Sequence, residues 1–127
     1  MLAVKSTYLK NKVIKHVLAE ASFTMPTNVY LALYTTDPTV DDVGTEVTGG
    51  SYARQQLSFA TAVNGAKASN TSETFSTMPA CTVTHWGIRD ASSGGNLLYF
   101  GAFDLPIQLN GGNSLPIASG DIVIGEV

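Results

Sequence analysis

Charged side chains are scarce in this sequence, since aspartate, glutamate, lysine and arginine make up only 13% of its 127 residues. That is about half of the ~25% usual in globular proteins. Threonine, serine, asparagine and glycine take their place. A neutral polar composition of this kind favours β-structure with many turns. It is also common on surfaces that a partner covers, although a soluble β-domain without such a partner fits it too.

The few charges are unevenly distributed along the chain. Residues 17–127 carry three basic and ten acidic side chains, a net charge of −7. The other four basic residues precede the first acidic residue and are Lys5, Lys10, Lys12 and Lys15. A nucleic-acid surface would need arginine and lysine clustered through the fold, so no nucleic-acid partner is predicted. The basic segment either meets an acidic neighbour or forms a solvated helix face.

The sequence has one cysteine and no long hydrophobic run. A single Cys81 excludes an internal disulfide and a cysteine-based zinc site, and we expect it to act as a small buried hydrophobe. No segment approaches the ~20 apolar residues of a membrane span, and the first residues become polar too soon for a secretory signal. We therefore predict synthesis in a reducing cytoplasm and no membrane partner.

Side chains suited to catalysis are also few. His16 and His85 are the two histidines, and neither has a cysteine, histidine or carboxylate at the spacing of a transition-metal site. We predict a hydrogen-bonded structural role for each. Neither a Gly-x-Ser-x-Gly nor a His-Glu-x-x-His motif occurs. These absences predict a protein that is not an enzyme and has no catalytic residues.

Two polar segments could in principle bind a ligand. Four acidic residues within ten positions offer carboxylate oxygens for calcium: Asp37, Asp41, Asp42 and Glu46. Their spacing differs from that of the helix–loop–helix calcium loop, and solubility is the simpler explanation. The glycine-rich residues 92–96 precede a predicted strand, whereas a phosphate cradle needs a helix N-terminus. We therefore predict no metal and no cofactor.

Residues 6–21 have a clear helical period. Apolar side chains recur at positions 9, 13, 14, 17, 18 and 21, on one face of a helix. Ser6 suits the N-cap position. Pro26 is predicted to end the helix, because the residue before a proline disfavours helical dihedral angles. We expect the apolar stripe to dock on the body of the protein, and the alternative is a helix on a membrane surface.

From residue 28 onward the sequence alternates with the period of two that is typical of strands. Residues 28–36 are apolar on both faces, which predicts a strand covered by an opposite sheet and by the helix. Residues 52–62 predict a half-buried strand with Ala53, Leu57 and Phe59 directed inward.

The remaining sequence predicts hairpins. Asn64-Gly65 is a strong turn signal, and residues 67–78 should return as a polar strand around Phe75. Residues 84–104 contain the largest aromatic block and predict two antiparallel strands that reverse between Asp90 and Asn96. Pro106 limits pairing nearby. Two short closing strands are predicted at 115–117 and 122–124.

Together these segments predict a mainly β fold. We expect a single antiparallel β-sandwich or jelly-roll-like domain over residues 1–127, with an N-terminal α-helix at 6–21 and seven to nine strands at 28–127. No internal repeat or linker indicates a second domain.

Three segments resemble a family of small virion proteins of tailed bacteriophages: NVYLALYTTDPT, GTEVTGGSYARQQLSF and THWGIRDASSGGNLLYFGAF. Members of that family begin with a short helix and continue with a strand that ends in Thr-x-Asp-Pro. A Gly-Gly-x-Tyr-Ala-Arg segment and a THxGIxDAxxGGNLLY hairpin follow. The resemblance spans almost the whole chain. It implies a particle component, of the kind labelled tail-fibre or capsid cement protein, with no catalytic residue to carry over.

Composition and resemblance together give a leading hypothesis, a capsid decoration (cement) protein that bridges capsid subunits and so stabilises the phage head. The expected partners are the major capsid protein or other virion subunits, and further copies of this chain in a homo-oligomer. The expected location is the virion, after synthesis in the host cytoplasm. The predicted contact elements are the helix and two loops, with the residues Lys10, Lys12, Lys15, Asp37 and Gly94.

Two alternatives remain open. One is a tail component, such as a tail-tip or fibre-associated module. The other is a carbohydrate-binding module, because five aromatic side chains could stack on sugars: Tyr30, Tyr34, Tyr52, Trp86 and Tyr99. Core packing is the simpler role for them, since most fall on alternating strand positions.

Overall fold

A computed structural model describes residues 3–126. The predicted domain also includes Met1, Leu2 and Val127, which lie outside the described residues. The described part contains one helix and nine strands, in the order β1 (Val4–Lys5), α1 (Thr7–Val17), β2 (Val29–Tyr34), β3 (Gln55–Leu57), β4 (Ala66–Ala68), β5 (Glu73–Phe75), β6 (Cys81–Arg89), β7 (Leu97–Leu109), β8 (Leu115–Ile117) and β9 (Val123–Gly125).

Five strands form the main sheet, in the order β1-β7-β6-β2-β3, and every neighbouring pair is antiparallel. Two antiparallel ribbons, β4-β9 and β5-β8, accompany it. The prediction of a mainly β, antiparallel fold of the small β-sandwich class is confirmed. The jelly-roll variant is not confirmed, because that topology has eight strands in two Greek keys and this second layer consists of separate ribbons.

The hydrophobic core lies between the main sheet and the ribbons. Trp86 and Leu33, which are paired partners on β6 and β2, are fully buried there. Phe75 of β5 and Ile122, next to β9, belong to the same cluster. Burying each such side chain contributes about 1.5–3 kcal/mol to folding. The alternation seen in the sequence therefore directs Leu31 and Leu33 of β2 and Trp86 and Ile88 of β6 into this core, and a bulge separates them from Val83.

The second face of the main sheet is buried as well. Residues 31–34 of β2 are all buried, which confirms the prediction of a strand covered on both sides. The predicted cover by the helix is wrong, because α1 packs mainly against β7 and β1. The cover is the middle of the loop of residues 35–47, here called the covering loop, whose end at Glu46 and Val47 pairs with the edge of β2. It reaches from His85, 3.9 Å from Asp37, to Arg89, which binds Asp42.

Gly87 lies in the middle of β6, where it pairs with Ala32 of β2. A Cβ atom at this position would lie 2.8 Å from a ring carbon of Tyr34 and 2.8 Å from Leu97 Cδ1. The Tyr34 ring therefore packs directly on the backbone of β6. Only glycine permits that approach, because interiors packed this densely have no space for an added methyl group.

The helix is shorter than predicted. Ser6 is the N-cap, as expected, and its Oγ accepts the N–H of Leu9 at 3.2 Å. The helix ends at Val17 and not near Pro26, because Ala19 adopts a left-handed conformation with φ of 63°. The N–H groups of Ala19 and Glu20 then donate to carbonyl oxygens one turn back, which is the Schellman arrangement that ends many helices.

The predicted docking of the apolar stripe holds for its first half only. Leu9 is 4% exposed and belongs to the core cluster, and Val13 packs partly against it. Ile14, Val17 and Leu18 are 56%, 69% and 70% exposed. The end of α1 therefore carries an apolar edge that is exposed among residues 3–126.

The strands after the covering loop are shorter than the sequence indicates. Of predicted residues 52–62, β3 keeps only Gln55–Leu57, with Leu57 buried and Ala53 exposed. The strand predicted at 67–78 divides into β4 and β5. Ser69 interrupts it, because the buried Oγ of Ser69 accepts the N–H groups of Gly120 and Ile122.

Both predicted hairpins are confirmed. Asn64 and Gly65 have φ of 52° and 77°, as a type I′ turn requires. Strands β6 and β7 reverse at residues 90–96, here called the hairpin loop. Near Pro106 the β6–β7 register shifts, so that residues 103–106 of β7 lie opposite Thr84 alone. This bulge is where the sequence predicts limited pairing, and it leaves Leu105 exposed.

Candidate functional site

Two arginines join the covering loop to the hairpin loop. The guanidinium group of Arg89 binds both carboxylate oxygens of Asp42, at 2.8 and 2.9 Å. It also donates to Tyr34 Oη at 2.9 Å and to the carbonyl oxygens of Gly94 and Gly95 at 3.3 and 3.0 Å. These five bonds equal the number of N–H donors in a guanidinium group. Arg89 therefore fastens both loops to the second face of the main sheet.

Arg54 makes a parallel connection from the segment before β3. It binds both carboxylate oxygens of Glu46 at 2.8 and 2.9 Å, and it donates to the carbonyl oxygens of Ala91 and Gly94 at 2.9 and 2.8 Å. Tyr52 Oη donates to Glu46 at 2.7 Å. The Gly94 carbonyl thus accepts from Arg54 and from Arg89. We call these two side chains the arginine pair.

The electrostatics of the arginine pair favour its charged, bonded state. Burial on its own raises the pKa of Glu46, but hydrogen bonds from Arg54 and Tyr52 outweigh it and lower the pKa. The hydrogen bond to Glu46 raises the pKa of Arg54. Burial, followed by the bond to Glu46, raises the pKa of Tyr52. Two guanidinium groups and two carboxylates therefore form a charge-balanced network, which fixes the shape of both loops.

Of the predicted contact residues, Asp37 and Gly94 both lie on loops that this network holds. Asp37 is exposed, and its carboxylate accepts the N–H of Thr39 at 2.9 Å. Gly94 is exposed with φ of 62°, and a Cβ there would meet nothing within 4 Å. The structure does not bring the two together. Asp37 lies near His85 and Gly94 lies near Arg89, and these two positions of β6 are about 14 Å apart at ~3.4 Å per strand residue.

The predicted contact lysines are all exposed on α1. Lys12 Nζ lies 5.6 Å from the centre of the Tyr8 ring, and Lys15 pairs with Glu20 at 3.5 Å. The start of the helix lies beside the covering loop, because the Thr7 N–H donates to the Val40 carbonyl at 2.8 Å. The lysines, Lys10 included, extend from that point along the solvent side. Their role as partner contacts stays a prediction.

The histidines and the cysteine occupy structural positions. His16 Nδ1 accepts the N–H of Phe23 at 3.0 Å, and His85 Nδ1 is hydrogen-bonded to Thr84 Oγ1 at 2.8 Å. Cys81 is half-buried against the core, and burial raises the pKa of its thiol. Lying on the edge of the core, it is less enclosed than the sequence predicts.

No group of three or more histidine, cysteine and acidic side chains among residues 3–126 is placed to hold a metal ion. The structure does not support the calcium hypothesis, because two of its four acidic residues, Asp42 and Glu46, are bound by the arginine pair. In the same part of the chain, no helix has the length and apolar character needed to cross a membrane.

The aromatic side chains proposed as a sugar platform are mostly interior. Trp86 and Tyr34 are fully buried. Tyr52 stacks on Phe75, with ring centres 5.8 Å apart. The simpler prediction, core packing, is confirmed for these residues, and a platform that depends on Trp86 is wrong.

An open apolar groove of about 400 Å³ forms a second notable surface. Its lining comes from both layers of the fold and comprises Val29, Phe59, Ala62, Gly65, Ala66, Lys67, Ile88, Leu98, Tyr99, Ile124 and Glu126. Glu126 lies on its rim, where it pairs with Lys5 at 2.6 Å and accepts the Tyr99 hydroxyl. This groove is here called the apolar groove. The sequence analysis did not predict this groove, because the residues that line it are distant from one another in the chain.

Sequence reasoning also missed the arginine pair. Arg54 and Arg89 lie in the YAR and GIRDA segments. Both segments belong to the motifs that carry the family resemblance. In a chain with only seven basic residues, arginine inside an apolar strand pattern is a usable signal, because such a residue must find buried carboxylates or carbonyl groups.

Comparison with known proteins identifies a protein family. A family model described as "Podophage GP4 fiber I protein gp80" matches residues 4–125. The matched range includes the arginine pair, both loops, α1 and the apolar groove up to Ile124. No curated protein matches the chain.

Proposed function

The chain belongs to the podophage GP4 fiber I protein gp80 family, and on that premise we propose that it is a component of the phage tail fibre. Membership makes the protein a structural component of the phage virion. The observation that supports the finer assignment is the extent of the match, residues 4–125, under a description that names a fibre protein. The tail-component alternative thus becomes the main proposal.

The geometry supports an adhesive role within such a fibre. The arginine pair holds the covering loop and the hairpin loop in one shape. Because the loops are already ordered, they lose little conformational entropy when a partner binds them. The loop tips expose neutral or apolar groups such as Ser92, Gly94 and Val43, and the covering loop also exposes the charged Asp37 and Asp41. Contacts between protein subunits combine apolar groups with a polar rim of this kind.

The proposed partners are other virion subunits, which would contact the two loops at Asp37 and Gly94 and α1 at Lys10, Lys12 and Lys15. The role we propose is non-catalytic. Capsid decoration is the weaker candidate, because the family description that matches this chain names a fibre, and no feature of the fold favours the head over the tail.

Locating the protein on intact particles tests the proposal. A short epitope inserted between Gly111 and Gly112 lies in an exposed turn, where a Cβ on either residue would meet nothing within 4 Å. Gold-labelled antibody viewed by electron microscopy should mark the tail region. Particles without the epitope are the control. Label distributed over the head would overturn the tail assignment in favour of capsid decoration.

A further inference from the structure

The chain folds back on the end of α1 directly after the helix stops. Backbone N–H groups of residues 19–21 donate to the carbonyl oxygens of Lys15 and His16. Further on, the Phe23 N–H donates to His16 Nδ1 at 3.0 Å. We call residues 19–23 the post-helix segment. Carbonyl groups of the helix hold its beginning, and a histidine side chain holds its end.

Phe23 is the residue that joins the post-helix segment to the body of the protein. Its side chain is half-buried and packs against the hydrophobic core. Residues 20–22 and 24–25, on either side of it, are exposed. The bond to His16 therefore fixes the backbone at the position where the segment meets the core.

That bond requires an uncharged His16 ring. A neutral imidazole has one donor and one acceptor nitrogen, whereas both nitrogens of the charged ring are donors. Because Nδ1 accepts the Phe23 N–H, a proton added to Nδ1 would place two donors against each other, and the bond would be lost. Histidine is the side chain that ordinarily changes charge between about pH 5 and pH 8.

The second histidine, His85, does not have this sensitivity. Its Nδ1 is hydrogen-bonded to Thr84 Oγ1 at 2.8 Å, and a hydroxyl group can donate or accept. Its Nε2 lies 3.9 Å from the carboxylate of Asp37, which accepts only. Adding a proton to the ring therefore breaks no hydrogen bond of His85.

The charged groups near His16 come from α1 and the residue turn that follows it. Lys12 and Glu20 lie four residues before and after His16, and Glu20 pairs with Lys15 at 3.5 Å. The two lysines oppose a positive ring, whereas Glu20 and the helix C-terminus favour one. Residues 21–27 contain no charged side chain. The titratable side chains of β1 and β7, which pack against α1, are Lys5, Tyr99 and Asp104.

From this geometry we propose that His16 is an acid-sensitive switch that releases the end of the post-helix segment. At about pH 8 the neutral ring holds the Phe23 N–H, and at about pH 5 the charged ring cannot accept it. The carbonyl bonds of residues 19–21 do not titrate, so the change is confined to Phe23 and its neighbours. The inference goes beyond the proposed fibre role and does not depend on it.

Hydrogen exchange of backbone amides, measured by NMR and corrected for the intrinsic effect of pH, tests the switch. Protection of the Phe23 amide should fall at least about fivefold between about pH 8 and pH 5, because its hydrogen bond is lost. The Leu9 amide is the internal control, since it donates to the Ser6 hydroxyl on the same helix and should keep its protection. Glu46, whose pKa is lowered, titrates below this range.

Two variants at this exposed position separate the charge from the bond. His16→Asn retains an acceptor oxygen but takes up no proton, so protection of the Phe23 amide should not depend on pH. His16→Ala has no side-chain acceptor, so protection should be low at both pH values and equal to that of the unaltered protein at about pH 5.

Three results would overturn the inference: a Phe23 amide that is unprotected at the higher pH, protection that does not fall at the lower pH, or the same pH dependence in either variant. Circular dichroism verifies that both variants are folded.

Discussion

At the scale of single residues, the arginine pair shows how a charge-poor chain uses its charges. Arg54 and Arg89 each bind one carboxylate through two hydrogen bonds. Other N–H groups of the two guanidinium groups donate to carbonyl oxygens of the hairpin loop. Lysine could not replace them, since its ammonium group has three donors and no planar fork. The fixed loop shape therefore depends on arginine at both positions.

Acid should weaken this network through Glu46. The pKa of Glu46 is lowered in the folded protein, so its ionised form stabilises the fold above the unfolded pKa of about 4.3. That stability is lost as pH falls through the lower folded pKa. Urea denaturation at pH 7 should show Glu46→Gln less stable by about 1–3 kcal/mol. Between pH 7 and pH 3 the unaltered protein should lose more stability than the variant.

Glu20→Gln is the matched control for that experiment. Glu20 lies after α1, where it is exposed and pairs with Lys15, so its change should alter stability by less than ~0.5 kcal/mol. Equal acid sensitivity in Glu46→Gln and the unaltered protein would show that the arginine network does not contribute to acid stability.

At the scale of elements, side-chain and backbone bonds at the ends of α1 decide its length. Ser6 begins the helix and also ties it to the main sheet, because its buried Oγ donates to the Leu97 carbonyl while it accepts from the Leu9 N–H. Ala19 ends it with a left-handed residue where glycine is more usual. In the resulting short helix, Ile14, Val17 and the C-cap residue Leu18 stay exposed.

Replacing the N-cap residue Ser6 should therefore lower the free energy of unfolding more than a substitution of an exposed residue does. Ser6→Ala removes both bonds of a buried hydroxyl, and we expect the free energy of unfolding to fall by about 1–3 kcal/mol. Guanidinium denaturation monitored by circular dichroism measures this. Ser92→Ala, in the exposed hairpin loop, should have almost no effect. A Ser6→Ala variant as stable as the control would mean that the cap is not what holds α1 on the sheet.

At the scale of the whole molecule, the two ends of the described chain are joined. Glu126 binds Lys5 of β1 and Tyr99 of β7, and residues from β2 to β9 share one core cluster. An element near one end therefore cannot unfold without exposing core surface that belongs to the other.

We expect this shared core to unfold in a single step. Calorimetry should give a calorimetric enthalpy equal to the van't Hoff enthalpy. Near-ultraviolet circular dichroism, which senses the buried Trp86, should change together with the far-ultraviolet signal. Two separated transitions would contradict the predicted single domain.

The sequence alone was sufficient for the local features of the fold. Alternation with period two predicted β2, β6 and β7, Asn64-Gly65 predicted its turn, and Ser6 predicted the start of α1. Each of these depends on dihedral preferences or on burial within a few neighbouring residues. Alternating burial and turn chemistry are properties of short segments, so they can be predicted from the order of residues.

Only the tertiary structure decided what depends on residues far apart in the chain. The division of residues 67–78 at Ser69 and the cover over β2 both follow from distant contacts. The arginine pair and the apolar groove join segments that are tens of residues apart. Local preferences are worth about 1 kcal/mol per residue or less, so a buried ion pair or a packed side chain readily overrides them.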